Sequence, residues 1–245
     1  MTTPDNQFLP EFRLKNQLKC PTDCNVQARK QRCRTLGAGI QMNGRRGRFF
    51  NCVLTAGILL GCALCSYVYA DTTIIIVRHG EKPPRGLGQL SCKGLNRSLA
   101  LASALLSHYG KPVAIYAPNP AIKKIDQGVP YAYIRPLATI EPLAVRTGLP
   151  VNIDWGMADT AELARALLAG TEGLQVVAWE HHFAEKLARN LLAASGGNPE
   201  DVPHWSNRDF DSIYVVRVTG RDKDKRVSFA HENEGLNGVS DHCGE

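Results

Sequence analysis

The stretch Thr72-Thr73-Ile74-Ile75-Ile76-Val77, followed at once by Arg78-His79-Gly80-Glu81, constrains this chain more than any other. Four consecutive β-branched aliphatics without polar alternation describe a strand covered on both faces, which requires a sheet with layers packed above and below it. The run ends abruptly in chemistry, at the carboxyl end of a strand, where open α/β sheets place their ligands. An imidazole can attack or shuttle protons near neutral pH, a guanidinium can grip an oxyanion through two parallel bonds, and a glycine lets backbone approach closely. That trio suits transfer of a phosphoryl group to a histidine.

Charge is unevenly distributed around this strand. The 245 residues carry a formal +6, yet residues 1–70 hold ten Lys and Arg against three Asp and Glu, and the remainder holds 19 against 20. A nucleic-acid binder would carry its basic stripe on the folded domain, so no nucleic-acid partner is expected. Residues 1–41 are polar and aperiodic, with Pro4, Pro10 and Pro21 among scattered cysteines, and read as a disordered leader, or as the product of an upstream start-codon assignment. From Met42 the pattern becomes that of an export signal. Arg45, Arg46 and Arg48 precede an uncharged run, Phe49 to Ala70, which ends in small residues at the −3 and −1 positions of a cleavage site. The segment 42–70 is therefore either a signal peptide or an uncleaved signal anchor holding the protein to a membrane through residues 49–70. Both place the domain in the periplasm or outside the cell. Six of the eight cysteines precede Asp71, which leaves Cys92 and Cys243 beyond it; their separation does not decide whether they pair.

Beyond the first strand, Pro83 to Gly88 is a loop, and Ser91 caps a helix that runs to about Tyr109 before Gly110. Leu95, Leu99, Ala102, Leu105 and Leu106 form its expected apolar face, and the helix is read as scaffold. Val113 to Tyr116 is a short parallel strand. Asp159 opens an amphipathic helix that stops at Gly170, Leu174 to Trp179 is a second buried strand, and another helix follows with Leu187, Leu191 and Leu192 on one face. Ile213 to Val218 and Val227 to Phe229 read as an edge hairpin with one wet face. The domain is expected over 71–230, with a flexible tail over 231–245.

Three segments together carry a family likeness: Arg78-His79-Gly80; Arg135-Pro136-Leu137-Ala138-Thr139-Ile140-Glu141-Pro142; and Trp179-Glu180-His181-His182. The chain resembles the histidine phosphatase superfamily over about Thr72 to Val218. The resemblance implies the phosphoglycerate-mutase-like fold, a three-layer α/β/α sandwich around a mostly parallel sheet. It also implies catalysis through His79 as nucleophile, with Arg78, Arg135 and His181 binding the phosphate. Alignment of the strand ends selects His181 over its neighbour His182. Tyr133 stands where a small residue usually opens the second segment, and Glu180 where many relatives have serine.

The expectation is thus an exported phosphomonoester hydrolase that works through a phosphohistidine, without metal or cofactor. Its substrate is a phosphorylated small molecule or an envelope glycan. The alternatives are a non-catalytic phosphate-binding module on the same fold and a phosphomutase. Glu81, next to the nucleophile's glycine, is the chosen proton donor to the leaving oxygen, with Glu180 and Asp159 as alternatives.

Overall fold

The computed structural model describes residues 71–220 and 222–244. The expectations for the leader 1–41 and the segment 42–70 fall outside these residues. Among the described residues no helix is long and apolar enough to cross a membrane.

The chain forms the expected three-layer α/β sandwich. Its central sheet consists of β1 (Thr72–Arg78), β2 (Ala114–Tyr116), β5 (Val151–Asn152), β6 (Gly173–Trp179), β7 (Ser212–Thr219) and β8 (Arg226–Asn233), in the order β5-β2-β6-β1-β7-β8. β1, β2, β5 and β6 run parallel, and β7 alone runs against the others. A separate two-stranded hairpin, β3 (Lys124–Asp126) and β4 (Val129–Tyr131), stands between β2 and the helix α2.

The period of two along each strand explains the layers. Ile74 and Ile76 of β1, Val177 and Trp179 of β6 and Tyr214 and Val216 of β7 pack against α3 (Thr160–Ala169) and α4 (His181–Ser195), through Leu163, Leu167, Leu187 and Leu191. The alternate residues Ile75, Val77, Val176, Ala178, Ile213 and Val215 pack against α1 (Cys92–Tyr109) and α2 (Arg135–Thr147), through Leu101, Leu105, Ile140 and Leu143. Each buried Val, Leu or Ile among these contributes roughly 1.5–3 kcal/mol by leaving water, so the two cores fix β1 and β6 side by side.

Three expectations are corrected. The buried face of α1 is Gly94, Arg97, Ser98, Leu101, Ala102 and Leu105, whereas Leu95 and Leu99 stand 46% and 57% exposed. The helix is rotated because Gly94 packs on the Glu81 backbone, where a Cβ would lie 2.3 Å from the Glu81 oxygen, and because Arg97 turns inward to meet carboxylates. Next, β7 lies inside the sheet and is buried along most of its length, so the wet face belongs to β8, the true edge. Finally, the tail is integrated into the fold. β8 continues to Asn233, Glu234 is buried, Asp211 accepts from the amides of Gly235 and Leu236, and a disulfide joins Cys92 to Cys243.

Candidate active site

The parallel register pairs Arg78 with Trp179, and the His79 amide donates to the Trp179 carbonyl at 3.0 Å. The end of β1 and the start of α4 are thereby brought together, with His79 beside Glu180 and His181. His79 is only 3% exposed and its Nδ1 lies 2.8 Å from the Gly80 carbonyl. A carbonyl can only accept, so Nδ1 carries the proton and Nε2 presents its lone pair. Burial lowers the His79 pKa to about 3, partly offset by the bond to Gly80 and reinforced by the Arg135 and Arg78 charges. The ring is neutral and nucleophilic at any physiological pH.

Gly80 serves the scaffold. A Cβ there would lie 2.7 Å from the Gly94 oxygen of α1, so the glycine pair lets helix and strand end meet. The Gly80 amide donates to Thr139 Oγ1 at 2.9 Å, and that hydroxyl donates in turn to the Arg135 carbonyl at 2.8 Å. The four-residue spacing from Arg135 to Thr139 thus ties the first turn of α2 to the nucleophile's own loop.

Two arginines flank the imidazole. Arg78 Nη1 donates to the carbonyls of Ser206, Asn207 and Asp209 at 3.3, 3.0 and 2.6 Å, and its guanidinium lies 3.8 Å over the Phe210 ring. Burial lowers its pKa to about 10 against the pull of Glu180, Tyr133 and Asp209, so it remains charged at neutral pH. Arg135 is wholly buried at the start of α2, with Pro136 in the first turn. Its Nη1 donates to Asp126 Oδ2 at 2.6 Å and to the Gly86 carbonyl at 3.3 Å, and Nη2 reaches Asp126 Oδ1 at 3.4 Å. Although burial opposes it, the bond from Arg135 holds the Asp126 carboxyl below the usual carboxylate range. Gly86, Leu87 and Gly88 all take positive φ, and this tight loop also donates the Gly88 amide to Asp126.

His181 is buried at the first turn of α4. Its Nε2 meets Asn207 Oδ1 at 2.5 Å, and its Nδ1 lies 2.9 Å from Glu180 Oε1 in a contact too poorly aligned to be a hydrogen bond. Glu180 itself occupies the amino end of α4, where Oε2 accepts from the amides of His182 and Phe183 at 3.0 and 3.3 Å. Burial pushes the Glu180 carboxyl up, but His181, the Lys124 charge and the Phe183 amide outweigh it and hold the pKa at about 2. Glu180, His181 and His182 each bring a ligand atom within 4.8 Å of the others. Within the cluster Glu180 caps α4 and His181 meets Asn207. His182 is exposed.

The structure thus brings Arg78, His79, Arg135 and His181 together and turns Glu81 away. Glu81 receives two parallel bonds from Arg97, at 2.9 and 3.0 Å, and faces α1. Both carboxylate oxygens are spent on a guanidinium fork that faces the scaffold helix, so its choice as general acid is corrected. Glu180 is excluded by its low pKa. Asp159 Oδ2 accepts from the Gly156 amide at 2.9 Å at the start of α3, where it serves as a turn.

Tyr133 fills the wall that sequence reasoning left open. Its ring meets His79 edge-on at 6.0 Å, and Arg135 lies 4.9 Å over its face. Among the described residues, seven buried side-chain nitrogen or oxygen atoms have no hydrogen-bond partner in the protein. Four of them, Arg78 Nε, Arg135 Nε, His181 Nδ1 and Tyr133 Oη, belong to residues of this site. Lys124, Asp126, Asn207 and Phe210 were missed because they lie in short aperiodic segments that carry no helical or strand signal. Arg97 did leave one, a cation four residues before Leu101 and Ser98's neighbour in an otherwise small and apolar face.

No protein-family model matches the chain, and no curated protein is similar to it. Solved structures similar to it include the protein histidine phosphatase SixA complexed with tungstate (15% identity, 66% of this chain and 97% of that chain, TM-score 0.46). Others are the mycobacterial glucosyl-3-phosphoglycerate phosphatase with inorganic phosphate (17%, 65% and 95%, TM-score 0.43) and the phosphoglycerate mutase of Plasmodium falciparum (14%, 66% and 89%, TM-score 0.43).

Proposed function

We propose that this protein is a histidine phosphatase that hydrolyses phosphomonoesters through a phosphohistidine on His79. The carrying observation is that buried donors of Arg78, Arg135 and Tyr133, residues that adjoin or electrostatically influence a neutral, Nε2-presenting His79, have no partner within the protein. Buried polar atoms are nearly always answered, because leaving one bare costs about 1–3 kcal/mol. An oxyanion with several acceptor oxygens would answer Arg78 Nε, Arg135 Nε and the Tyr133 hydroxyl together. Phosphate esters fit both the charge and the number of acceptors.

In the first step His79 Nε2 attacks phosphorus and the bond to the ester oxygen breaks. In the second, water attacks the same phosphorus, phosphate departs and the imidazole is restored. Two easier displacements replace one hard one. The transferring oxygens gather charge in each, and Arg78, Arg135 and His181, already held in place by Asp126, Asn207 and the 206–209 carbonyls, answer that charge without reorganising. That clamp supports metal-independent transfer. Export is also part of this reading: the basic and apolar pattern of residues 42–70 and the Cys92–Cys243 disulfide, a bond favoured in oxidising compartments, both support it. A phosphorylated small molecule or an envelope glycan would be the substrate in that location.

The test is phosphate release by the purified full-length protein from para-nitrophenyl phosphate and a panel of phosphorylated sugars and small molecules, with His79→Ala in parallel. Release by the wild type and loss in the variant are expected. A wild type that binds phosphate but releases none from any substrate would establish a binding module instead. Transfer of the label to an added sugar phosphate in preference to water would establish a mutase.

A further inference from the structure

We propose that Lys124, on the β3–β4 hairpin, is the group that protonates the leaving oxygen. The inference rests on the phosphatase reading and supplies the donor that Glu81, Glu180 and Asp159 cannot be.

The placement comes from contacts with Glu180, with Tyr133 and with Met157, whose Sδ lies 3.9 Å from Lys124 Nζ. Lys124 Nζ lies 3.7 Å from Glu180 Oε1, the same oxygen that His181 Nδ1 approaches at 2.9 Å. It also lies 5.2 Å from the centre of the Tyr133 ring, which packs T-shaped with His79 and carries the Arg135 guanidinium at 4.9 Å. Its side chain is 24% exposed, while His79 is almost wholly covered. An in-line displacement puts the leaving oxygen on the side of phosphorus opposite the nucleophile. His79 sits at the strand ends almost wholly covered, whereas Lys124 reaches solvent beside Glu180 and Tyr133, and the proposal puts the leaving oxygen on that open side. The hairpin is fixed there because Asp126, two residues on, is bonded to Arg135 and to the Gly88 amide.

The chemistry balances. As the phosphorus–oxygen bond breaks and the bond to His79 Nε2 forms, the ammonium gives one proton to the departing oxygen and the alcohol leaves neutral. In the second step the amine takes a proton from the attacking water, the phosphorus–nitrogen bond breaks and the ammonium is regenerated. Burial lowers the Lys124 pKa, with the Arg135 and Lys82 charges adding to it and Glu180 and Asp126 opposing, so the group gives up its proton more readily than an ordinary lysine. Arginine at the same position would keep the charge and could not be deprotonated.

This separates proton donation from charge. Full-length wild type, Lys124→Met and Lys124→Arg are assayed on para-nitrophenyl phosphate, whose phenolate leaves without help, and on glycerol phosphate, whose alkoxide needs a proton. Lys124→Met is expected to lower kcat on glycerol phosphate by ~10²–10⁴-fold, the range for general acids. The fall on the aryl ester should be at least about tenfold smaller, and Lys124→Arg should not restore the alkyl reaction. Equal losses on both esters that arginine repairs would make Lys124 one more cation of the clamp and overturn the proposal. No loss on glycerol phosphate would overturn it as well. A wild type that resembles His79→Ala on both esters would instead remove the phosphatase reading itself, and this inference with it. Thermal melting of each variant checks that the hairpin change leaves the fold intact.

Discussion

The protein buries two kinds of arginine, and the contrast between them separates scaffold from site. Arg97, on α1, is 0% exposed and meets three carboxylates: Glu81 in a two-bond fork, Glu234 at 2.7 Å and Asp211 at 3.2 Å. Its partners come from the loop after the nucleophile, from the loop before β7 and from the tail after β8, so one cation ties three distant segments. Arg78 and Arg135 are buried as deeply, yet each keeps an unpartnered Nε, and Arg78 is held largely by neutral carbonyls. A guanidinium whose donors are answered internally adds stability and has nothing left for a ligand. One positioned by part of its donors, with the rest bare, is held ready for an anion that the protein does not itself supply.

This contrast can be broken by mutation. The largest effect on the fold should follow Arg97→Ala, which would leave two or three acidic groups buried without a counter-charge. Removing one partner of a buried pair costs ~3–5 kcal/mol, and the midpoint of chemical denaturation should fall accordingly. An Arg97→Ala protein that melts like the wild type but loses turnover would reverse the assignment. Arg78→Ala should show the opposite balance. Turnover should fall by ~10²–10³-fold, as when one preorganised donor is lost, with the smaller change in melting temperature of the two variants. Arg78→Lys should recover little of it, since an ammonium cannot reproduce the fork. Arg135 falls between the two, because its removal strands Asp126, so its effect on activity should be read in the presence of Asp126→Ala.

A third prediction sharpens the scaffold side. Burial, with Asp211 and Glu81 adding to it and Arg97 opposing, pushes the Glu234 carboxyl up to about 8. A group whose folded pKa lies above its unfolded value stabilises fully below the unfolded value, here about 4.5, and loses that contribution as pH rises toward 8. The wild type should therefore lose stability over that window, and Glu234→Gln should flatten the loss, as followed by melting temperature against pH. An equally steep profile in the variant would place the pH dependence elsewhere. The smallest effect is expected of His182→Ala. That side chain is exposed, and its amide would still donate to Glu180, so turnover should remain within a few-fold. A loss as large as that of His181→Ala would exchange the roles of the two histidines.

Much of this was legible in the sequence, and what was not has physical reasons. The strand Ile74 to Val77 announced the layers because a run buried on both faces leaves no other packing, and the strand-end rule then located Arg78, His79 and His181. The carboxylates misled. Glu81 stands two residues from the nucleophile in sequence, but beyond the end of β1 a buried Arg97 on α1 draws its carboxylate away. The face of α1 was misread because leucine spacing says nothing of a glycine pair that turns the helix or of a cation buried by its partners. The tail was taken for disorder because polar composition is silent about a disulfide and about carboxylates folded onto an arginine from an earlier helix. Lys124 and Asp126 belong to three-residue strands, too short to leave a period.

The central claim, that the bare donors surround a nucleophile, is tested most directly by trapping the intermediate. Full-length protein is quenched during turnover of a phosphorus-labelled substrate, digested, and the label mapped by mass spectrometry under alkaline conditions. The account predicts acid-labile, base-stable label on the peptide containing His79, absent from His79→Ala. Label on a serine or aspartate peptide, or turnover that survives in His79→Ala, would contradict it.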